Sequence, residues 1–391
     1  MTEADLTHEL WELALTQRWF SGRAGRPMRV DLGDWVVEPT PAAPGLRPAY
    51  LLVGFTDGHI ETYLIPLLWT PGSPPSDATD DADILLDLLR AEAPGFERLV
   101  QIPDALPARR FTGEQSNTTV FFGDKLLAKV FRRLEPGVNV DVELHRVLRG
   151  SGVVAELYGT WSAEGTDLAV FLEALPDPED GYDLACRHAA AGSDFSASAR
   201  ELGAALAKVH EVLGRRLGVT TADGAELAAG FRDRYATTAG QYPALEAFSA
   251  AAGRLFDLVG DAPVSVQRVH GYCHLGHVLR TGGRWVYVDF EGEPLKSMAE
   301  RRLPDSPLRD VAGMLRSFGY AREAGGADLG WLDSARRSFL TGYGLDPDVP
   351  NPLLAAYETD KAAYEVAYES RYRPHLVQVP LDFLSTLSEG A

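Results

Sequence analysis

The chain is short of cysteine: Cys186 and Cys273 are its only two thiols in 391 residues. Two cysteines make no disulfide framework, and a reducing compartment suits them. It is also short of positive charge. Thirty-seven lysines and arginines face 56 aspartates and glutamates, a formal net charge of −19 at pH 7. That balance argues against nucleic acid, which needs a basic footprint, and against an anionic membrane surface. An anionic cofactor needs only local positive charge and stays open. Long apolar runs are missing too, and no segment approaches the ~20 residues of a membrane span. The N-terminal MTEADLTHELWELAL is acidic, with Leu6, Leu10 and Leu13 at helical spacing. A signal peptide would be basic and then continuously apolar. These absences point to a soluble, cytoplasmic protein, and a monomer is expected.

What is present is enough apolar sequence for a large core and two or three domains. Residues 1–20 read as an amphipathic helix. AYLLVGFTDGHIETYLIPLLW places two apolar runs around Asp57-Gly58, a hairpin signal. TPGSPPSDATDDAD (70–83) reads as a linker, and ILLDLLRAE as a short helix. Residues 1–105 are therefore expected to form a small α+β cap. A sheet-rich region follows over 106–176, with TTVFF and LLAKVF as a hairpin and NVDVELHRVLR as a helix. Residues 177–391 read as mostly helical, with VSVQRVH and WVYVDF as strands bracketing one loop. Strands with one helix, then helices with a hairpin-held loop, outline an α+β, two-lobed kinase.

That loop, RVHGYCHLGHVLR (268–280), carries His270, His274 and His277. Their spacing could gather a zinc ion on a helix, but Gly271 and Gly276 disfavour a helix and no H-E-x-x-H arrangement is present. Phosphoryl transfer needs positioning and charge neutralisation, and its parts occur in order. Gly113, Gln115, Ser116 and Asn117 in TGEQSNTT form a loop able to offer backbone N–H groups to phosphate. Lys129 sits among apolar residues of the next strand and needs an anionic partner. Glu143, on the following helix, is the expected carboxylate. Asp289 ends the strand VYVD and is placed to hold Mg²⁺, with Glu291 and Glu293 nearby. Taken singly, each of these residues has an ordinary structural explanation; their order gives them weight.

EQSNTTVFFGDKLLAKVFRRLEPGVNVDVEL, HGYCHLGHVLR, VDFEGEP, ERRLPDSPLRDVAGMLRSFGYA and DKAAYEVAYESRYRP together resemble the maltokinase-like sugar kinases. These are relatives of the aminoglycoside phosphotransferases, with a bilobal, eukaryotic-protein-kinase-like fold. The likeness extends to LTQRWFSG in the cap. It implies ATP, Mg²⁺ and transfer of the γ-phosphoryl group to a small-molecule sugar. By position, Lys129 would hold the α/β-phosphates and Glu143 would orient it. Glu173 to Leu175 would form the hinge facing adenine, and Asp289 would bind the metal. His270, Tyr357, Lys361, Tyr364, Glu365 and Tyr368 would serve the sugar side.

The sequence departs from that family at two loop positions. Tyr272 stands where the family usually has its catalytic aspartate, and His277 where it has a metal-binding Asn or Gln. A phenol, with pKa near ~10, is a poor base at neutral pH. Positioning can suffice for a loose transition state. Alternatively His274 or Glu291 takes the proton, or the protein binds without turnover. His277 can still ligate the metal through neutral imidazole. The altered loop and the many carboxylates around it, Glu358 and Glu365 included, favour the glucosamine kinase branch and glucosamine 6-phosphate as product. Maltose 1-phosphate formation, a weakly catalytic sugar or nucleotide sensor, and an aminoglycoside kinase are the other expectations.

Overall fold

The computed structural model describes residues 3–389 except 42, 71–72, 105, 114–115 and 294–295. The chain divides into two compact units, Met1–Arg149 with Ala155–Pro176, and Gly150–Val154 with Asp177–Ala391.

In the first unit, α1 (Glu3–Thr16) lies on a sheet of β1 (Arg26–Leu32), β2 (Gly45–Gly54), β3 (Ile60–Trp69) and the short β4 (Ser76–Asp77). The expected β2–β3 hairpin is formed, with Gly58 at φ +90° in its turn. β3 is buried on both faces, which explains its nearly continuous apolar sequence. Tyr63, Ile65 and Leu67 join Ala49, Leu51 and Val53 of β2 beneath Leu6, Leu10 and Ala14 of α1. Leu64 and Leu68 enter a second core with α2 (Asp83–Ala91). That core also takes residues from a six-stranded antiparallel sheet, ordered β5 (Phe96–Arg98), then β10 and β11, then β8, β7 and β6 (Ala108–Arg110). Here β7 is Thr118–Phe122 and β8 is Leu126–Val130. β9 (Arg133–Leu134) returns to pair with β3, and α3 (Val140–Leu148) follows. The sheet closes with β10 (Leu157–Ala163) and β11 (Thr166–Glu173).

The linker expectation for 70–83 does not hold. β4 pairs with β3, and Asp77 is buried against Arg132, whose guanidinium is fully enclosed. Arg132 donates to Asp77 Oδ2 at 2.6 Å, to Thr118 Oγ1 at 2.8 Å, to Thr79 Oγ1 at 2.9 Å and to the Leu64 carbonyl at 3.2 Å. A polar composition therefore hides a buried charge network, made tolerable because every guanidinium nitrogen has a partner.

The second unit opens with β12 (Glu179–Asp180), α4 (Gly181–Ala190) and the long α5 (Ser196–Leu217). Next come β13 (Val219–Ala222), α6 (Gly224–Ala239), α7 (Ser249–Asp257) and β14 (Val264–Gln267). The histidine-rich loop leads from β14 into a hairpin of β15 (Val278–Thr281) and β16 (Arg284–Tyr287), and β15 also pairs with β12. After α8 (Met298–Arg301) comes α9 (Leu308–Gly325), buried without interruption from Asp310 to Phe318. Such a helix belongs in the middle of a core. α4, α10 (Leu329–Tyr343) and α11 (Pro352–Tyr372) pack around it, and α12 (Gln378–Glu389) ends the chain. Among the described residues no helix is long and apolar enough to cross a membrane.

Candidate active site

Lys129 is the fourth of the five residues of β8, where burial alternates along the strand. Leu127 and Val170, the latter opposite Lys129 in β11, pack beside Val142 of α3. The lysine therefore points to the face that α3 covers. Its Nζ donates to Asp141 Oδ2 at 3.0 Å, and His145 Nδ1 lies 3.0 Å from Asp141 Oδ1. Burial pushes the Asp141 carboxyl up, but Lys129 and His145 outweigh it and hold the group well below the usual range. The expected partner, Glu143, is thus replaced by Asp141. The two residues are ~200° apart around a helix, so they cannot share one face. Asn139 caps α3 through Asp141 N–H and so fixes the carboxylate's turn.

In the loop before β7, Gln115 lies outside the described residues. Ser116 is exposed, and Gly113 is partly buried. Asn117 Oδ1 accepts the Arg132 N–H at 3.2 Å, which ties this residue to the connection between β8 and β9. Glu173 closes β11, its N–H on the Glu156 carbonyl at 2.8 Å, and Leu175 packs on the Phe131–Val142 core.

In the second unit, a buried carboxylate that the sequence reading missed organises the histidine loop. Asp310 of α9 accepts the His270 N–H at 2.7 Å, the Gly271 N–H at 2.9 Å and His210 Nε2 at 2.9 Å. His210 meets the Tyr343 hydroxyl through Nδ1 at 2.8 Å. Burial raises the Asp310 carboxyl, but the His210 contacts and the loop N–H outweigh it, leaving it below its ordinary value. The signal was an acid set among apolar residues in LRDVAGML. Gly313, one turn on, lets α9 approach the loop: a Cβ there would stand 2.2 Å from the Cys273 carbonyl oxygen.

The histidines divide by their hydrogen bonds. His270 is buried, and its Nε2 donates to the Val288 carbonyl at 3.0 Å. It braces the loop against the strand that leads to Asp289, so the substrate-binding role expected of it is corrected to a structural one. His274 accepts the Gly276 N–H at Nδ1, 3.1 Å away. Burial, then the charges of His277, Lys361 and His270, pull its pKa down to about 2. Neutral His274 therefore carries its proton on Nε2, and its remaining lone pair is occupied. The expectation that it acts as base fails for that reason. His277 donates through Nδ1 to the Tyr272 carbonyl at 2.9 Å, which leaves the lone pair on Nε2, 3.4 Å from Asp289 Oδ2. Asp289 has φ +62°, an uncommon left-handed conformation that aspartate tolerates, two residues beyond the end of β16. The imidazole nitrogen and the carboxylate suit one small cation. Glu291 follows, its carbonyl accepting from Arg301 at 3.4 Å.

Tyr272, His274 and Gly276 form one wall of a 540 Å³ cavity; Lys361, Tyr364, Glu365 and Tyr368 of α11 form another. α11 presents these four on one face, since they lie three or four residues apart. Burial pushes the Tyr272 phenol above its usual pKa, so it stays protonated and is no base. Lys361 Nζ lies 4.8 Å from the Tyr272 ring centre and 5.1 Å from that of Tyr364, a cation–π arrangement. Glu365 is held by Arg316 at 2.7 and 3.0 Å, and Glu369 by Arg373 at 2.6 and 2.9 Å. Two carboxylates expected at the sugar are likewise committed to arginines, Glu358 to Arg336 and Glu293 to Arg309. Tyr357 is also corrected. It is buried against Phe231, bonds Asp305 at 2.5 Å and borders an adjoining 480 Å³ cavity, which shares Tyr272, Gly313, Lys361 and Tyr364 with the first.

A strand lysine held by a helix carboxylate, and a braced loop running into a strand-end aspartate, are the working parts of a kinase-type phosphotransferase. The chain belongs to the phosphotransferase enzyme family (APH), whose model matches residues 107–353. It is 28% identical to a glucosamine kinase of Streptacidiphilus jiangxiensis over 78% of this chain and 76% of that protein. It is 27% identical to a glucosamine kinase of Mycolicibacterium smegmatis (strain ATCC 700084 / mc(2)155) over 90% and 95%. Among solved structures, a glucosamine kinase in complex with glucosamine, ADP and inorganic phosphate shares the fold. Its TM-score is 0.75 at 23% identity, covering 96% of this chain and 98% of that one.

Proposed function

We propose that the protein is an ATP- and Mg²⁺-dependent kinase that phosphorylates glucosamine, forming glucosamine 6-phosphate. The cavity between the histidine loop and α11 carries this reading. Its 540 Å³ accommodates a monosaccharide, and its walls hold four carboxylates (Asp180, Asp183, Glu365, Glu369) against two cations, Lys361 and Arg373. With Glu365 and Glu369 tied to arginines, and Asp180 Oδ1 capping α4 through the Tyr182 and Asp183 N–H groups, Asp183 and the second oxygen of Asp180 are left for a substrate ammonium, through charge-assisted hydrogen bonds. Tyr364 and Tyr368 offer apolar faces to the sugar ring. The glucosamine kinases of similar sequence, and the glucosamine and ADP bound in the neighbouring structure, support the same acceptor and nucleotide.

Lys129, oriented by Asp141, would meet the nucleotide phosphates, and the hinge at Glu173–Leu175 the adenine. His277 Nε2 and Asp289 Oδ2, 3.4 Å apart, would hold the metal, with the ring of His277 oriented by its Nδ1 donation to the Tyr272 carbonyl. A bound Mg²⁺ neutralises phosphate charge. Asp310, His270 and Gly313 keep the loop rigid against α9, so that the acceptor hydroxyl is presented in one geometry.

One observation favours a second reading, a sugar or nucleotide sensor: a protonated phenol fills position 272. ADP release measured with glucosamine, glucose and maltose separates the two. Turnover with preference for glucosamine, abolished by Asp289→Ala, is expected. Nucleotide binding with no turnover on any sugar would establish the sensor instead.

A further inference from the structure

We propose that Lys361 accepts the proton of the attacking sugar hydroxyl, a role that rests on the kinase reading of this cavity. Of the neighbouring candidates, Asp183 and the α4 cap Asp180 are assigned to the substrate ammonium, and the others are committed by their contacts. Tyr272 keeps its own proton. His274 has its lone pair on the Gly276 N–H and carries hydrogen on the other nitrogen. Glu365 is bound to Arg316, Glu369 to Arg373 and Tyr320, and Asp310 to His210 and two loop N–H groups. Asp289 faces His277.

Lys361 is differently placed. It projects from α11 into the cavity wall and stacks on the ring of Tyr272, in the loop itself. Its ammonium rests on two aromatic rings and makes no ion pair among the described residues. Rings stabilise a cation far less than a carboxylate at contact distance does. The groups that face it are Asp360, Tyr364 and Glu365 of its own helix, Tyr272 and His274 of the loop, and Glu293 and Arg309 beyond. Burial is the largest influence and lowers its pKa, with Glu365 and Glu293 partly opposing. A neutral amine also removes the repulsion that a cationic Lys361 would exert on a protonated amino sugar.

In the step proposed, the Lys361 Nζ lone pair takes the hydroxyl hydrogen as the sugar oxygen bonds to the γ-phosphorus. The bond to the ADP oxygen breaks with its electron pair. Lys361 leaves the step as ammonium and returns its proton to solvent.

The test uses full-length enzyme with Mg·ATP, and glucose beside glucosamine so that the substrate amine's own titration is separated. For wild type, kcat is expected to rise with pH through the lowered lysine pKa and then level off. Lys361→Met and Lys361→Arg should lose that limb and about 10²-fold or more in kcat, with KM for ATP unchanged. Arginine keeps the charge but cannot accept a proton. Lys208→Met, which alters a lysine of α5 paired with Glu211 away from the cavity, should keep the limb. Nitrogen-15 labelling of lysine reads the Nζ titration directly and needs no turnover. An ordinary lysine pKa near ~10.4, or a Lys361→Met enzyme that retains both the limb and kcat within about threefold, overturns the proposal while leaving the kinase reading intact. A wild-type enzyme that turns over no sugar overturns both.

Discussion

At the scale of single residues, the pair that matters most in the first unit is Lys129 with Asp141. Asp141→Asn should lower kcat/KM for ATP by about 10²-fold, since a preorganised charge loses its fixed position. Glu143→Gln should change it by less than about threefold. The same comparison has a pH signature. The Asp141 carboxyl sits below its unfolded value near ~3.9, so its stabilisation is fully present above that pH and disappears as pH falls through the folded value. The melting temperature of Asp141→Asn should therefore lie below wild type at pH 7, with the gap closing below about pH 4. Scanning calorimetry across that range checks it. A gap that widened in acid would mean that Asp141 is not ionised in the fold. Sequence order located Lys129 and its helix but chose the wrong carboxylate. Two acids two positions apart look equivalent in one dimension, and only the helix's rotation separates them. His274 and His277 were equally ambiguous, because a histidine's chemistry depends on which nitrogen is already hydrogen-bonded. Asp310 and His210 were passed over because a buried acid and a buried imidazole have no pattern of their own until the loop they hold is folded.

Among elements, alternation and turn chemistry were legible: the β2–β3 hairpin and α3 lie where their patterns placed them, and 177–391 is mostly helical. The 70–83 segment was not, because composition records polarity and cannot record that Asp77 meets Arg132. Breaking a buried pair by removing one partner costs about 3–5 kcal/mol. Arg132→Met should therefore destabilise the first unit by about that amount in urea titration, leaving Asp77 enclosed without its cation. The double variant Arg132→Met/Asp77→Leu should recover most of the loss, since the second change removes the stranded charge. Additive losses would show that the two side chains are not coupled. In the second unit, the contact between α9 and the histidine loop depends on Gly313. In Gly313→Ala the new methyl meets the Cys273 carbonyl, backbone against backbone, so the loop must shift rather than a side chain. Expected is a fall in kcat of about 10-fold or more with KM for ATP little changed, because the displaced element serves the acceptor.

For the molecule as a whole, a charge of −19 fits poorly with binding a polyanionic nucleotide unless positive charge is supplied locally. On the proposed reading, Lys129 of the first unit would supply some of it. In the second unit, His277 and Asp289 would contribute only through a cation they hold. Nucleotide affinity should therefore depend on metal far more than on the chain's overall charge. A ligand that binds only the folded protein adds about 2.7 kcal/mol at a hundred times its Kd, or about 3 °C in melting temperature for a chain of this length. Mg·ATP should raise the melting temperature by roughly that amount, and ATP with excess EDTA by much less. Asp289→Ala should abolish the difference between the two conditions. His277→Ala should reduce it, and His277→Asn, which restores an oxygen donor, should recover it. An equal shift with and without metal would place the nucleotide's charge on residues other than this pair. A metal-dependent shift that survived Asp289→Ala would move the cation elsewhere in the fold.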